Sequence, residues 1–179
     1  MNQTGGGIPY IYGVAPFISN QAITGAGSIG ANSIAFTNNS TITANNGTYS
    51  LTLDPIDAPV AFVNNGTLQS AAGILVLTGY GNGAFNNTNG RIIAGVNDVQ
   101  MHSGASISGG TISGAGTGIT RVIVSNTASI NTLTTTGNLT VDNNATLYPA
   151  GTITNTGSIN VNAGANGSYI YTQGAATFS

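Results

Sequence analysis

The chain contains very little charge. Among its 179 residues the only charged side chains are Arg91, Arg121 and four aspartates, and there is no lysine or glutamate. Charged residues make up 3% of the sequence, whereas an ordinary soluble domain devotes about a quarter of its residues to them. The formal net charge of −2 excludes the clustered basic residues with which proteins bind nucleic acid. Solubility must therefore depend on asparagine, threonine, serine and exposed backbone.

Cysteine and long apolar runs are also missing. Without cysteine no disulfide can stabilise the fold, and such a chain is suited to crossing a membrane unfolded. No apolar run approaches the roughly 18 residues of a membrane-spanning helix, so we predict no transmembrane segment. The length is sufficient for one domain with a substantial core.

The residues that are abundant favour strands over helices. Asparagine, threonine, serine and glycine weaken helices, whereas isoleucine, valine, threonine and tyrosine are typical of strands. Aliphatic residues recur at short intervals along the whole chain, which distinguishes it from a disordered polar segment. We therefore predict a folded, all-β protein.

A short motif recurs throughout: a small residue, then Ser, Thr, Asn or Arg, then an aliphatic residue or tyrosine. It occurs as GSI (27–29), NSI (32–34), STI (40–42), GTY (47–49), GTL (66–68), GRI (90–92), ASI (105–107), GTI (110–112), ASI (128–130), NTL (131–133), GNL (137–139), ATL (145–147), GTI (151–153) and GSI (157–159). Larger steps, from Ile29 to Tyr49 to Leu68 and from Ile92 to Ile112 to Ile130, are close to twenty residues. Such periodicity is typical of stacked repeats.

The period favours a right-handed parallel β-helix, or β-solenoid, of about eight or nine coils with roughly twenty residues each. Aliphatic residues would then stack inward in columns, and Thr, Ser and Asn would form outer hydrogen-bonding rows. Segments such as NNGTL would each be a corner followed by a core strand, with Asn and Gly turning the corner in left-handed conformation. We expect one solenoid domain over residues 1–179, with 1–26 a candidate N-terminal cap and 164–179 a candidate C-terminal cap or last coil.

An antiparallel meander is the alternative fold. The five Asn-Gly pairs, at 46–47, 65–66, 82–83, 89–90 and 166–167, could each make a tight hairpin. A meander gives no reason for one triplet to return at coil length, so the solenoid is favoured.

The segment LTGYGNGAFNNTNGRIIAGVNDVQMHSGASISGG (77–110) resembles the haemagglutinin repeat of filamentous haemagglutinins and of contact-dependent-inhibition toxin stalks. Asn86, Asn87, Gly90, Ile92 and Ala94 match the repeat, and phenylalanine precedes them where leucine is usual. Shorter versions occur at 62–79 and 141–153. The resemblance implies a secreted parallel β-helical exoprotein, exported by a two-partner or autotransporter route.

Few residues suggest chemistry. Asp54 and Asp57, in LDPIDAP, are most simply explained by a loop, although a calcium or acid–base site is the alternative. Asp98 and His102 are four apart and would lie two pleats from each other on one strand face. We therefore predict no catalytic, cofactor-binding or metal-binding residues and no cofactor, and we expect the protein not to be an enzyme.

Paired tyrosines near both ends of the sequence are the candidate interaction residues. Tyr10 with Tyr12, and Tyr169 with Tyr171, would each share a strand face. They could cap the hydrophobic column or form an aromatic strip that binds a sugar or a protein.

Three functions are compatible with these features. The leading one is a non-enzymatic adhesive and structural protein of the cell surface, a β-helical stalk segment of a secreted adhesin. It would be extracellular and would bind a glycan or protein of a host or neighbouring cell. The alternative is a filament subunit that stacks on copies of itself through open strand edges. A β-helical phage enzyme acting on carbohydrate is the third, disfavoured by the scarcity of carboxylates.

Overall fold

The fold is described from a computed structural model, which covers residue 1 and residues 7–59, 61–80, 83–122 and 127–179. The first strands are β1 (Tyr10–Ile11), β2 (Phe17–Ser19), β3 (Ile23–Gly25), β4 (Gly27–Ile29), β5 (Phe36–Asn38), β6 (Thr41–Ala44), β7 (Leu51–Leu53), β8 (Phe62–Asn64), β9 (Thr67–Ser70), β10 (Leu75–Thr78) and β11 (Ala84–Asn86). They are followed by β12 (Arg91–Ala94), β13 (Val99–His102), β14 (Ala105–Ser108), β15 (Thr111–Gly114), β16 (Thr120–Val122), β17 (Thr127–Thr135), β18 (Leu139–Val141), β19 (Thr146–Asn155), β20 (Ile159–Val161), β21 (Tyr169–Ile170) and β22 (Ala176–Phe178).

The strands form a parallel β-solenoid with three faces. Face A is the sheet β1-β4-β7-β10-β13-β16-β18-β20. Face B contains β2, β5, β8, β11, β14, the first halves of β17 and β19, and β21; face C contains β3, β6, β9, β12, β15, the second halves of β17 and β19, and β22. The all-β parallel solenoid predicted from the sequence is confirmed. The hairpin alternative is wrong, because the described strands pair in parallel; Asn82 of the pair at 82–83 lies outside the described residues.

The predicted coil length was too short. The coils contain about 23 residues and number about 7, so the rod is about 34 Å long at a strand spacing of about 4.8 Å. On face A, Leu51 pairs with Leu75 and Leu75 with Val99, which are steps of 24 residues. Later coils are shorter, and Thr120 pairs with Leu139 after 19 residues.

The error arose because all three faces carry the same triplet. Ile29 pairs with Leu53 on face A, whereas Leu68 pairs with Ile42 and Ile92 on face C. The series from Ile29 to Tyr49 to Leu68 therefore runs from face A to face C through a residue that lies in no strand, so its steps of about twenty residues are not coils. The step from Ile92 to Ile112 was a true coil step, since these two residues are register partners.

Alternating side chains build the core. In β10 and β13, for example, buried and half-buried residues alternate strictly, as expected when successive strand residues point to opposite faces. On face B the rings of Phe17, Phe36, Phe62 and Phe85 stack with centroid separations of 5.2, 5.1 and 5.2 Å. These distances are close to the strand spacing of about 4.8 Å, so each coil places one phenylalanine on the previous one. The predicted inward columns are confirmed.

A ladder of buried asparagines follows the phenylalanine column. Asn38, Asn64 and Asn87 each lie two residues after a stacked phenylalanine, and none is more than 1% exposed. Asn38 Nδ2 donates to Asn64 Oδ1 at 2.8 Å, and Asn64 Nδ2 donates to Asn87 Oδ1 at 2.7 Å. The amides also bond corner backbone, as when Ser40 N–H donates to Asn38 Oδ1. Each buried amide is therefore satisfied, as a water-free interior requires.

A second asparagine row runs along the outside of the same corner. Asn39 Nδ2 donates to Asn20 Oδ1 at 2.8 Å, and Asn65 Nδ2 donates to Asn39 Oδ1 at 2.9 Å. Asn89 continues the row with a longer bond of 3.4 Å to Asn65. In Asn38-Asn39 and Asn64-Asn65, therefore, the first asparagine belongs to the inner ladder and the second to the outer row.

Glycine is needed at these corners because the coils approach closely. A Cβ atom on Gly66 would lie 1.9 Å from Ser40 O, and one on Gly90 would lie 2.3 Å from Asn64 Nδ2. The predicted left-handed geometry occurs at this corner in later coils, where Gly109, Gly110 and Gly151 have φ angles of 73°, 66° and 64°. For the ladder asparagines that prediction was wrong, since the non-glycine residues with positive φ are Ala31, Asn32, Ser103, Thr132 and Asn144.

The two segments predicted as caps form the end coils. β1 to β3 fall within residues 1–26, of which 2–6 lie outside the described residues, and β21 and β22 fall within residues 164–179. These end coils leave inward apolar side chains exposed, among them Phe17 at 40% and Phe178 at 43%. The ends of the core are thus much less covered than its middle.

Candidate functional site

The N-terminal tyrosine pair lies on the outside of face A. Tyr10 pairs in register with Ser28, and Ile11 pairs with the buried Ile29. Tyr10 and Tyr12 are 51% and 70% exposed, and their rings meet edge to face with centroids 6.1 Å apart. The rings therefore project from the side of the rod, and the residue between them faces the core.

A cleft of about 520 Å³ lies beside Tyr10 on face A. Tyr49, from the segment that precedes β7, lines it together with Tyr10, and Asp54 lines it from the segment after β7. The hydroxyl-bearing residues Ser28, Ser50 and Thr52 also line it. Aromatic, hydroxyl and carboxylate groups thus converge on one concavity of a size that small ligands occupy.

An unusual loop forms one wall of this cleft. Gly30, Ala31 and Asn32 have φ angles of 103°, 47° and 50°, a region that a residue with a Cβ atom rarely adopts. The loop is held against Asp54, because the N–H of Asn32 donates to Asp54 O and the N–H of Asp54 donates to Ile29 O, both at 2.8 Å. Positive φ at Ala31 costs free energy, and strain of this kind is concentrated at binding sites.

The carboxylate of Asp54 is unusually placed. Its Oδ1 atom is buried and has no hydrogen-bond partner among the described residues. Burial raises the pKa of Asp54 above its ordinary value of 3.8, the nearby Asp57 charge raises it further, and a hydrogen bond from the backbone of Asn32 lowers it. A buried acceptor without a partner costs free energy, so this carboxylate is placed at a cost to the stability of the fold.

The other residues considered from the sequence have ordinary surroundings. Asp57 is exposed and accepts a hydrogen bond from Asn32 Nδ2 at 3.2 Å. Asp98 Oδ1 accepts one from the N–H of Ile119 at 2.9 Å. His102 Nε2 lies 3.2 Å from Gln100 Oε1, and burial lowers the pKa of the histidine. Among the described residues no three His, Cys, Asp or Glu side chains are grouped to hold a metal ion.

The C-terminal tyrosines form a second aromatic cluster, on face B. Tyr169 and Tyr171 are 59% and 58% exposed, and Ile170 between them pairs with the buried Leu147. Tyr148, one coil earlier, meets Tyr171 edge to face with ring centroids 5.9 Å apart. The three tyrosines line a hollow of about 270 Å³. Both predicted tyrosine pairs therefore lie on side surfaces, and their roles in binding or capping stay predictions.

Sequence reasoning missed the cleft. It took Tyr49 for the aliphatic position of a repeat triplet and Asp54 for a loop residue. The correct coil length would have predicted the site. With that length Ser28 pairs with Thr52 and Tyr10 of the previous coil pairs with Ser28, so the three residues lie side by side on one face. The true coil length was needed to see that these residues meet.

No known family model, curated protein or solved structure matches this chain. In the part of the chain that the structure describes, no helix is long and apolar enough to cross a membrane. Functional inference therefore depends on the surface of the solenoid itself.

Proposed function

We propose that this chain is a non-enzymatic segment of an extracellular adhesive protein, a β-solenoid rod that binds partner molecules along its sides. The observation that carries the proposal is the grouping of exposed tyrosines on the outer faces. Tyrosine anchors interfaces because it combines a large apolar ring with a polar hydroxyl. The remaining surface is almost uncharged, so binding would depend on rings and hydroxyls and not on charge.

The interior supports a structural role. The phenylalanine column spans four consecutive coils and the inner asparagine ladder spans three, and stacked coils of this kind build an extended rod. The site on face A contains one carboxylate, that of Asp54, whereas hydrolysis of a glycosidic bond ordinarily needs a pair. Both features are more typical of a scaffold that presents binding surfaces than of an enzyme.

The test is adhesion of the purified chain to cultured cells and to immobilised glycans. One double variant replaces Tyr10 and Tyr12 by alanine, and the other replaces Tyr169 and Tyr171 by alanine. At least one of these two variants should adhere less than the unmodified chain. Tyr80→Ala is the matched control, because Tyr80 is 70% exposed and lies in neither cluster. Absence of adhesion by the unmodified chain to any cell or glycan surface would contradict the proposal.

End-to-end assembly is the second candidate function. Among the described residues, β1 and β2 at one end and β20 to β22 at the other pair on one side only. Residues 1–53 and 143–179 include no charged side chain, and charges on edge strands are a usual protection against edge pairing. A second copy of the chain could therefore extend each face by parallel strand pairing.

Lysine on an edge tests this candidate. Ile18 and Thr177 face outward on β2 and β22, so Ile18→Lys and Thr177→Lys would place charge beside an arriving strand without disturbing the core. If the chain forms fibres, each change should suppress them, and Thr111→Lys on the side of the rod should not. Fibres that persist unchanged in both edge variants would exclude edge pairing as their cause.

A further inference from the structure

We infer that the cleft on face A binds a neutral saccharide, with Tyr10 and Tyr49 contacting the sugar ring and the Asp54 carboxylate accepting a hydrogen bond from a sugar hydroxyl. The inference deepens the proposed adhesive function and depends on it. It names the cleft on face A as one binding site of the rod and a neutral saccharide as its ligand.

The groups that line the cleft match the two sides of a pyranose. The C–H face of a sugar is apolar and packs on an aromatic ring, whereas its hydroxyls need donors and acceptors around the rim. Tyr10 and Tyr49 supply rings, and Ser28, Ser50 and Thr52 can each donate or accept. The volume of about 520 Å³ is in the range of pockets that bind small ligands.

Asp54 supplies the strongest acceptor. Asp54 lines the cleft, and a hydrogen bond to a charged acceptor is stronger than one to a neutral acceptor. The strained loop of Gly30 to Asn32, which bonds the backbone of Asp54, holds the carboxylate in place before the ligand arrives.

A cation is the competing ligand, because tyrosine rings and a carboxylate can also enclose an ammonium group. A quaternary ammonium group has no N–H to donate to the three hydroxyl-bearing side chains, whereas a saccharide can form hydrogen bonds with all of them. A hard metal ion such as calcium prefers six or more oxygen ligands, and the cleft provides one carboxylate. The lining therefore favours a neutral polyhydroxyl ligand.

The cleft continues toward the exposed tyrosine pair. Tyr10 and Ala31 line both the cleft and a hollow of about 290 Å³ beside Tyr12. A second sugar unit could occupy this hollow, so the site is expected to prefer a disaccharide to a monosaccharide.

Saturation-transfer difference NMR with lactose, maltose and N,N′-diacetylchitobiose tests the inference, since it detects weak binding and identifies the sugar protons that contact protein. At least one disaccharide should give a signal. Asp54→Asn and Tyr49→Ala should each weaken its binding about tenfold, as expected for loss of one charge-assisted hydrogen bond or one ring contact. Tyr80→Ala is the matched control, and it should bind like the unmodified chain.

Tyr49→Phe keeps the ring and should retain most binding, which separates ring stacking from loss of the hydroxyl. Thermal melting of each variant confirms that weakened binding is not unfolding. Binding of a disaccharide that is unchanged in both Asp54→Asn and Tyr49→Ala would overturn this site and leave the adhesive function intact. If none of the three disaccharides binds, or if tetramethylammonium binds in preference to them, the saccharide inference is overturned. If the unmodified chain also fails to adhere to cells, the proposed function is overturned with it.

Discussion

Adjacent asparagines in this chain have different surroundings. The Asn64 side chain is buried and bonded to Asn38 and Asn87, whereas the side chain of Asn65 is exposed and bonded to the surface asparagines Asn39 and Asn89. The sequence motif of Asn-Asn before a small residue predicted a corner, and the structure confirms it. It could not show which asparagine was buried, because that depends on strand direction and on the neighbouring coils.

Asn64→Ala is expected to destabilise the fold strongly. It removes the donor to Asn87 Oδ1 and the acceptor of the Gly66 N–H, and a buried polar group left without a partner costs about 1–3 kcal/mol. Asn65→Ala removes only exposed bonds and should change the free energy of unfolding by about 0.5 kcal/mol or less. Urea denaturation of the two variants measures the difference. Equal losses would show that the inner ladder adds no stability beyond the outer row.

Asp54 is expected to reduce stability at neutral pH. Because burial and the nearby Asp57 raise its pKa in the fold, the folded state binds this proton more tightly than the unfolded state does. Its contribution to stability is complete below the ordinary pKa of 3.8 and is lost as the pH rises through the raised value. Asp54→Asn should therefore raise the melting temperature at pH 7 and leave it nearly unchanged at pH 3. If the melting temperatures of Asp54→Asn and the unmodified chain differ by the same amount at pH 7 and pH 3, the buried placement of this carboxylate is contradicted.

At the scale of strands and coils, the phenylalanine column is the clearest element. Phe36, Phe62 and Phe85 are buried in the middle of the column, and Phe17 at its end is 40% exposed. Inward aliphatic columns followed from the period of the sequence, whereas the phenylalanine column was not predicted. The sequence could not show which strand belongs to which face, because the same triplet occurs on all three faces and only the pairing register distinguishes them.

Phe62→Ala should be among the most damaging changes in this column. Deleting a buried phenylalanine between two others leaves a cavity and costs about 3–5 kcal/mol. Phe17→Ala, at the end of the same column, should cost less than half as much because its ring is already partly in water. Thermal unfolding of both variants checks the ranking, and a larger loss for Phe17→Ala would contradict the stacking order.

At the scale of the whole molecule, the side surfaces and the ends offer different kinds of interaction. The sides carry the tyrosine clusters and the cleft, whereas the ends present strand edges without charged side chains. Composition predicted an uncharged all-β rod, and the structure confirms the solenoid. The cleft could not be predicted, since it is built by three segments, at 8–10, 27–31 and 49–54, that meet only when coils of the right length are stacked.

The central claim is that this rod binds its partners along its sides and does not assemble end to end. Sedimentation velocity across a concentration series tests this claim most directly. We predict one species of 17.7 kDa at every concentration, and this species should bind the glycan surface. A mass that grows with concentration into long assemblies, and that falls back to the single chain in Ile18→Lys and Thr177→Lys, would contradict the claim and identify the ends as the functional surfaces.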